Sequence, residues 1–106
     1  ETNRAFVTEF MERYRMRPNF MAVAAHDGAH LLFEALKKTG GDATGKGLVE
    51  AMKGMAFESP RGPIRIDPAT RDIVQTVYMM RAEEVGGQLW NVPFHSFEAV
   101  SDPGKA

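Results

Sequence analysis

Two histidines four residues apart, with an aspartate beside the first, are the side chains best placed by type and spacing to do chemistry: His26-Asp27-Gly28-Ala29-His30. On a helix, positions i and i+4 share a face, which is how a zinc-peptidase helix presents two imidazoles to one metal. His26 followed by Asp27 is also a pairing from which a metal-dependent hydrolase could hold its ion. A catalytic zinc needs a third protein ligand and an open position, and His95 is the only other histidine. Asp27 stands next to His26 where such a peptidase would carry its glutamate base. A hydrolase built on His26, Asp27 and His30 is therefore the distant alternative, behind a structural account in which packing satisfies both rings. The expectation is of no metal, no cofactor and no catalytic residue.

Other chemical motifs fall short. Gly45-Lys46-Gly47 lacks the longer spacing and the terminal Lys-Ser/Thr of a phosphate loop. Ser59 and Ser96 have no nucleophile-elbow context. Asp67 with Asp72 lacks the spacing and last-position glutamate of a calcium loop, so a turn aspartate is the simpler account. The methionines, from Met11 to Met80, are spread over several elements and read as core gap-fillers.

The elements that would position these residues begin with a helix from Thr2 to near Met16, where Phe6, Phe10, Tyr14 and Val7, Met11 recur at helical spacing. Pro18 ends it. Pro18-Asn19 and Gly40-Gly41 then bracket a second helix, apolar enough to be enclosed on most sides and solvated only around Glu34, Lys37 and Lys38. A third, short helix is capped by Asp42 or Thr44 and ended by Gly54; its two glycines weaken it by about 1 kcal/mol each relative to alanine. Beyond Met55 the pattern turns extended: short pieces at Met55-Phe57 and Ile64-Ile66, then a strand from Ile73, a turn at Gly86-Gly87 and a return strand through Trp90. Pro93 marks that return strand as an edge or a strand end. The hairpin is expected to need partner strands, from elsewhere or from a second copy. The tail, residues 101–106, is expected to be frayed.

At 106 residues the chain fits one modest domain, able to bury about 65% of its unfolded surface. Thirteen basic and fourteen acidic residues give a net charge of -1, without the basic excess that nucleic-acid binding usually leaves. Zero cysteines exclude disulfides and thiolate metal sites. The longest apolar run is far short of the ~20 residues that span a bilayer. The chain opens on Glu1 with no visible signal peptide, which fits a cytosolic protein or a piece of a longer precursor.

Three stretches together resemble the C-terminal end of type I periplasmic solute-binding proteins, the branched-chain amino acid receptor family that feeds ABC transporters. Asn3 to Pro18 is similar to the family's helix ending in a Tyr-Gly-x-x-Pro-like corner, through Tyr14 and Pro18. Asp27, Leu31, Leu32, Ala35, Leu36 and Gly40 fit its Ala-Tyr-Asp-Ala-x-x-Leu-Leu helix. Leu48, Phe57, Pro60, Gly62, Ile64 and Asp67 fit its Phe-x-Ser-Pro-x-Gly-x-Ile-x-Phe-Asp segment, the most specific of the three.

The resemblance implies an α/β fold of two lobes, of which residues 1–106 would be a single partial domain: late helices of one lobe plus closing crossover strands. It implies a non-enzymatic, periplasmic solute-binding protein that closes by hinge motion on amino acids, small amides or aromatic acids and delivers them to an ABC importer. Its partners would be the ligand, the permease and the missing N-terminal part; self-association by strand exchange is a further expectation. A ligand-sensing receptor domain of the same fold is the alternative. His26 stands where the family usually has tyrosine and Gly28 where it usually has alanine, which makes His26 the one candidate ligand contact, the main contacts being expected upstream.

Overall fold

The computed structural model describes residues 1–105. Helices α1 (Thr2–Tyr14), α2 (Phe20–Lys38) and α3 (Gly45–Met52) are followed by strands β1 (Ala56–Ser59), β2 (Gly62–Ile66), β3 (Ile73–Val85) and β4 (Gln88–Val100), then a 3-10 turn at Pro103–Lys105. The strands form one antiparallel sheet in the order β1-β2-β3-β4.

Local chemistry sets each boundary. α1 stops earlier than Pro18 alone requires, because Arg15 turns left-handed (φ 57°) and donates its N–H to the Met11 carbonyl. Asn19 caps α2 by accepting the Ala22 N–H at 3.1 Å. Gly41 closes that helix with a bond to the Leu36 carbonyl at 2.9 Å, made possible by positive φ at Gly40 and Gly41. Thr44 caps α3 by accepting the Gly47 N–H, while Asp42 accepts the N–H of Thr44. A side chain at Gly47 would meet Asp42 at 2.8 Å and Thr44 at 2.9 Å, so this glycine, weak by propensity, is required by the cap itself.

The two short extended pieces do not stand apart. They pair with each other (Phe57 opposite Ile64) and, through β2, with the first residues of β3 (Ile64 opposite Gln75). This corrects the expectation that the hairpin lacks a partner within the chain, because the Asp67 turn folds β2 back onto β3. Asp67 accepts the N–H groups of Ala69 and Thr70 at 2.8 and 3.1 Å. Beyond Gln75, β3 is flanked only by β4 among the described residues. Gly86 and Gly87, both at positive φ, make the hairpin turn. Pro93 lies within β4, an edge strand, beside one of two irregularities of the β3–β4 register. In the tail, Lys105 reaches the Asp72 carboxylate, and Ala106 lies outside the described residues.

The buried apolar residues are Ala35, Ala51, Ile64 and Val74, and the Lys38 ammonium, donating to the Ala51 carbonyl at 3.1 Å, ties α2 to α3. α2 is not enclosed on most sides: its buried residues are Asp27 and Ala35, while Phe20, Met21 and Phe33 are exposed. The physical reason is that, among the described residues, α3, β1, Arg61 and Phe6 of α1 each touch part of the helix and leave much of its surface uncovered. The radius of gyration, 16.0 Å, exceeds the roughly 13 Å of a compact domain of this length.

Candidate functional site

The residue that organises the middle of α2 is Asp27. A single acid in an apolar stretch of helix must find donors when it is buried, and Asp27, 5% exposed, finds two. Its Oδ2 accepts the Ser59 hydroxyl at 2.8 Å and the Arg61 guanidinium at 3.0 Å from Nε and 2.9 Å from Nη2. Ser59 in turn accepts the Arg61 backbone N–H at 3.2 Å. The turn between β1 and β2 is thereby fastened to the side of α2. The Asn3 amide donates to the Pro60 carbonyl at 2.8 Å and brings the start of α1 to the same turn.

The second carboxylate oxygen, Oδ1, faces the Nδ1 atom of His26 at 3.4 Å. The imidazole packs edge-on against Phe6, with ring centroids 5.0 Å apart, and keeps 44% of its side chain exposed. Phe6, Phe10 and Tyr14 continue along α1 as a row of aromatic rings with centroid spacings of 5.9 and 4.6 Å. Between that row and α2 runs an open groove of 320 Å³, with Ala22, Ala25 and His26 on one wall and Glu9 and Arg13 at its edge. The groove offers aromatic faces, one imidazole and a pair of opposite charges, Glu9 and Arg13.

His30 does not join this site, since it packs on Phe57 of β1 with centroids 4.5 Å apart. No cluster of three metal-ligating side chains occurs among the described residues, and Asp27 Oδ2 is occupied by Ser59 and Arg61. The spacing of the two histidines thus reflects helix geometry without convergence on one point.

A second anchor was not legible in the motifs. Arg17, in the corner between α1 and α2, stacks over Trp90 at 3.8 Å and donates to the Leu89 carbonyl at 2.7 Å and to the Gln88 side chain. It fixes the hairpin tip against that corner.

A family model described as periplasmic binding protein matches residues 1–88. The Leu/Ile/Val-binding protein homolog 6 of Brucella abortus is 40% identical over 87 residues, which are 81% of this chain and 22% of that protein. A solute-binding protein of an ABC transporter from Rhodopseudomonas palustris BisB5, solved in complex with 3,4-dihydroxybenzoic acid, is 57% identical with a TM-score of 0.95, over 97% of this chain and 28% of that one. Its counterpart from strain HaA2, in complex with p-hydroxybenzoic acid, is 36% identical with a TM-score of 0.89, over 99% and 29% of the two chains. The chain therefore spans about a quarter of the length of the proteins it matches.

Proposed function

The chain belongs to the periplasmic binding protein family, a family of solute-binding proteins rather than enzymes, and from that premise we propose that the whole protein captures a small aromatic acid in the periplasm for an ABC importer. The observation that carries this reading is the 57% identity and 0.95 TM-score to a protein holding 3,4-dihydroxybenzoic acid, with a second hydroxybenzoate-bound relative behind it. Two lobes would close on the solute, and the permease would recognise the closed state.

Within residues 1–105 the ligand contact is His26. The aromatic row Phe6, Phe10 and Tyr14 beside it and Arg13 at the groove edge supply a stacking face and a cation for the carboxylate. Most of the remaining contacts belong to parts of the protein outside this chain. A second reading, branched-chain amino acids as solutes, is favoured by the Leu/Ile/Val-binding homologue.

The test is thermal unfolding of the whole protein with hydroxybenzoates, benzoate and branched-chain amino acids. A true solute at 100 times its Kd adds about 2.7 kcal/mol to stability. A rise with hydroxybenzoates alone supports aromatic-acid capture, a rise with leucine, isoleucine or valine alone replaces it with the second reading, and indifference to all removes both.

A further inference from the structure

We propose that Asp27 is a positioning residue: it fixes His26 as the Nδ1–H tautomer, so that Nε2 becomes a hydrogen-bond acceptor selecting solutes that carry a ring hydroxyl. The proposal rests on the reading of His26 as a ligand contact. It deepens that reading by naming hydroxylated aromatic acids over their unsubstituted parents.

The argument begins with the division of labour between the two oxygens of Asp27. Oδ2 is engaged by Ser59 Oγ and by two nitrogens of Arg61, which leaves the carboxylate no freedom to rotate. Oδ1 is thereby held toward His26 Nδ1 at 3.4 Å. An ionised carboxylate can only accept, so the neutral ring must carry its proton on the nitrogen that faces it. The other nitrogen then holds a lone pair, and which ring nitrogen is protonated is set by the bond that the other makes.

Among the described residues Nδ1, facing Asp27, is the ring nitrogen with a hydrogen-bond partner and Nε2 has none, and the ring packs edge-on against Phe6. His26 lines the groove whose opposite wall is the aromatic row of α1. A site that offers a fixed acceptor gains from a phenolic O–H, and it leaves that acceptor unpaired when the hydroxyl is missing. The proton on Nδ1 is what makes the difference, and Asp27 is what keeps it there.

The experiment uses the whole protein labelled with ring nitrogen-15 histidine, at about pH 8, above the ordinary imidazole range near 6.5; the His26 signal is the one lost in His26→Gln. The expected result is a proton on Nδ1 in the unaltered protein and on Nε2 in Asp27→Asn, whose amide oxygen would stay with Ser59 and Arg61 and whose NH2 would face Nδ1. A proton on Nε2 in the unaltered protein, or an unchanged tautomer in the variant, overturns the proposal. Calorimetry with 4-hydroxybenzoate and benzoate reads the consequence: a preference of about 10-fold in the unaltered protein, falling below about 3-fold in Asp27→Asn while benzoate affinity stays within about 2-fold. An equal loss of both affinities marks Asp27 as merely structural and overturns it. Should that variant fail to fold, the tautomer of the unaltered protein decides alone. If His26→Phe leaves both affinities untouched, the ligand-contact reading falls and the selection with it, whereas aromatic-acid capture by the whole protein stands or falls by the thermal test.

Discussion

The Ser59 hydroxyl sits 2.8 Å from Asp27 Oδ2 across thirty-two residues of chain, and both residues are buried. This contact, with Arg61 beside it, joins the helical part of the molecule to the sheet. Truncating Ser59 leaves the buried carboxylate short of one donor, at a cost of about 1–3 kcal/mol. Arg61→Ala leaves it without its countercharge and costs about 3 kcal/mol, toward the low end of the range for buried pairs because the guanidinium is partly exposed. Denaturant unfolding of the whole protein checks the order: Arg61→Ala below Ser59→Ala below unaltered. Two neutral variants would sink the idea that this contact fastens α2 to the sheet.

Gly45 and Gly47 sit two residues apart in the same helical turn and should respond in opposite directions to alanine. At Gly45 nothing lies within 4 Å of an added Cβ, so Gly45→Ala gains up to about 1 kcal/mol from helix propensity. At Gly47 the new carbon would press on Asp42 and Thr44 at 2.8 and 2.9 Å and disturb the cap, whose loss costs about 1 kcal/mol. A pair of melting curves decides it, the expected ranking being Gly45→Ala, unaltered, Gly47→Ala.

Asp67 gives a pH dependence with a definite sign. The backbone N–H groups of Thr70 and then Ala69 hold its carboxyl below the ordinary carboxylate range. A depressed folded value stabilises the fold above the unfolded pKa, about 3.9 for aspartate, and that contribution is lost as pH falls through the lower folded value. The stability gap between the unaltered protein and Asp67→Asn should thus be constant from neutrality down to about pH 5 and close below about pH 4. A gap that widens on acidification would contradict the turn chemistry.

Arg17→Ala removes the stack on Trp90 and the bonds to the hairpin tip. Hydrogen exchange should quicken at residues 84–91 and stay unchanged at the β1–β2 turn, which is held by Asp27. Uniform acceleration would show that the tip is not held separately.

The sequence makes the helices, the Gly-Gly hairpin and the Asp67 turn legible because each is written in neighbouring residues: Asn19 before α2, Thr44 before α3, glycines where φ must be positive. The family's motifs mark Asp27, Pro60 and Gly62, though not what Asp27 binds. Its partners lie more than thirty residues away, and periodicity carries no record of pairing at that distance. The one available signal was the isolated acid in an apolar helix, which demands a donor once buried. The predicted enclosure of α2 fails for the same reason: apolar composition states that a helix seeks cover, and only the packing shows which residues supply it.

The Arg17 anchor has a temporal meaning as well. Its acceptor at Leu89 is made seventy-two residues later, so during synthesis at about 5–20 residues per second the corner between α1 and α2 waits some 4–14 s for its partner. The corner between α1 and α2 is thus made well before the hairpin tip that secures it.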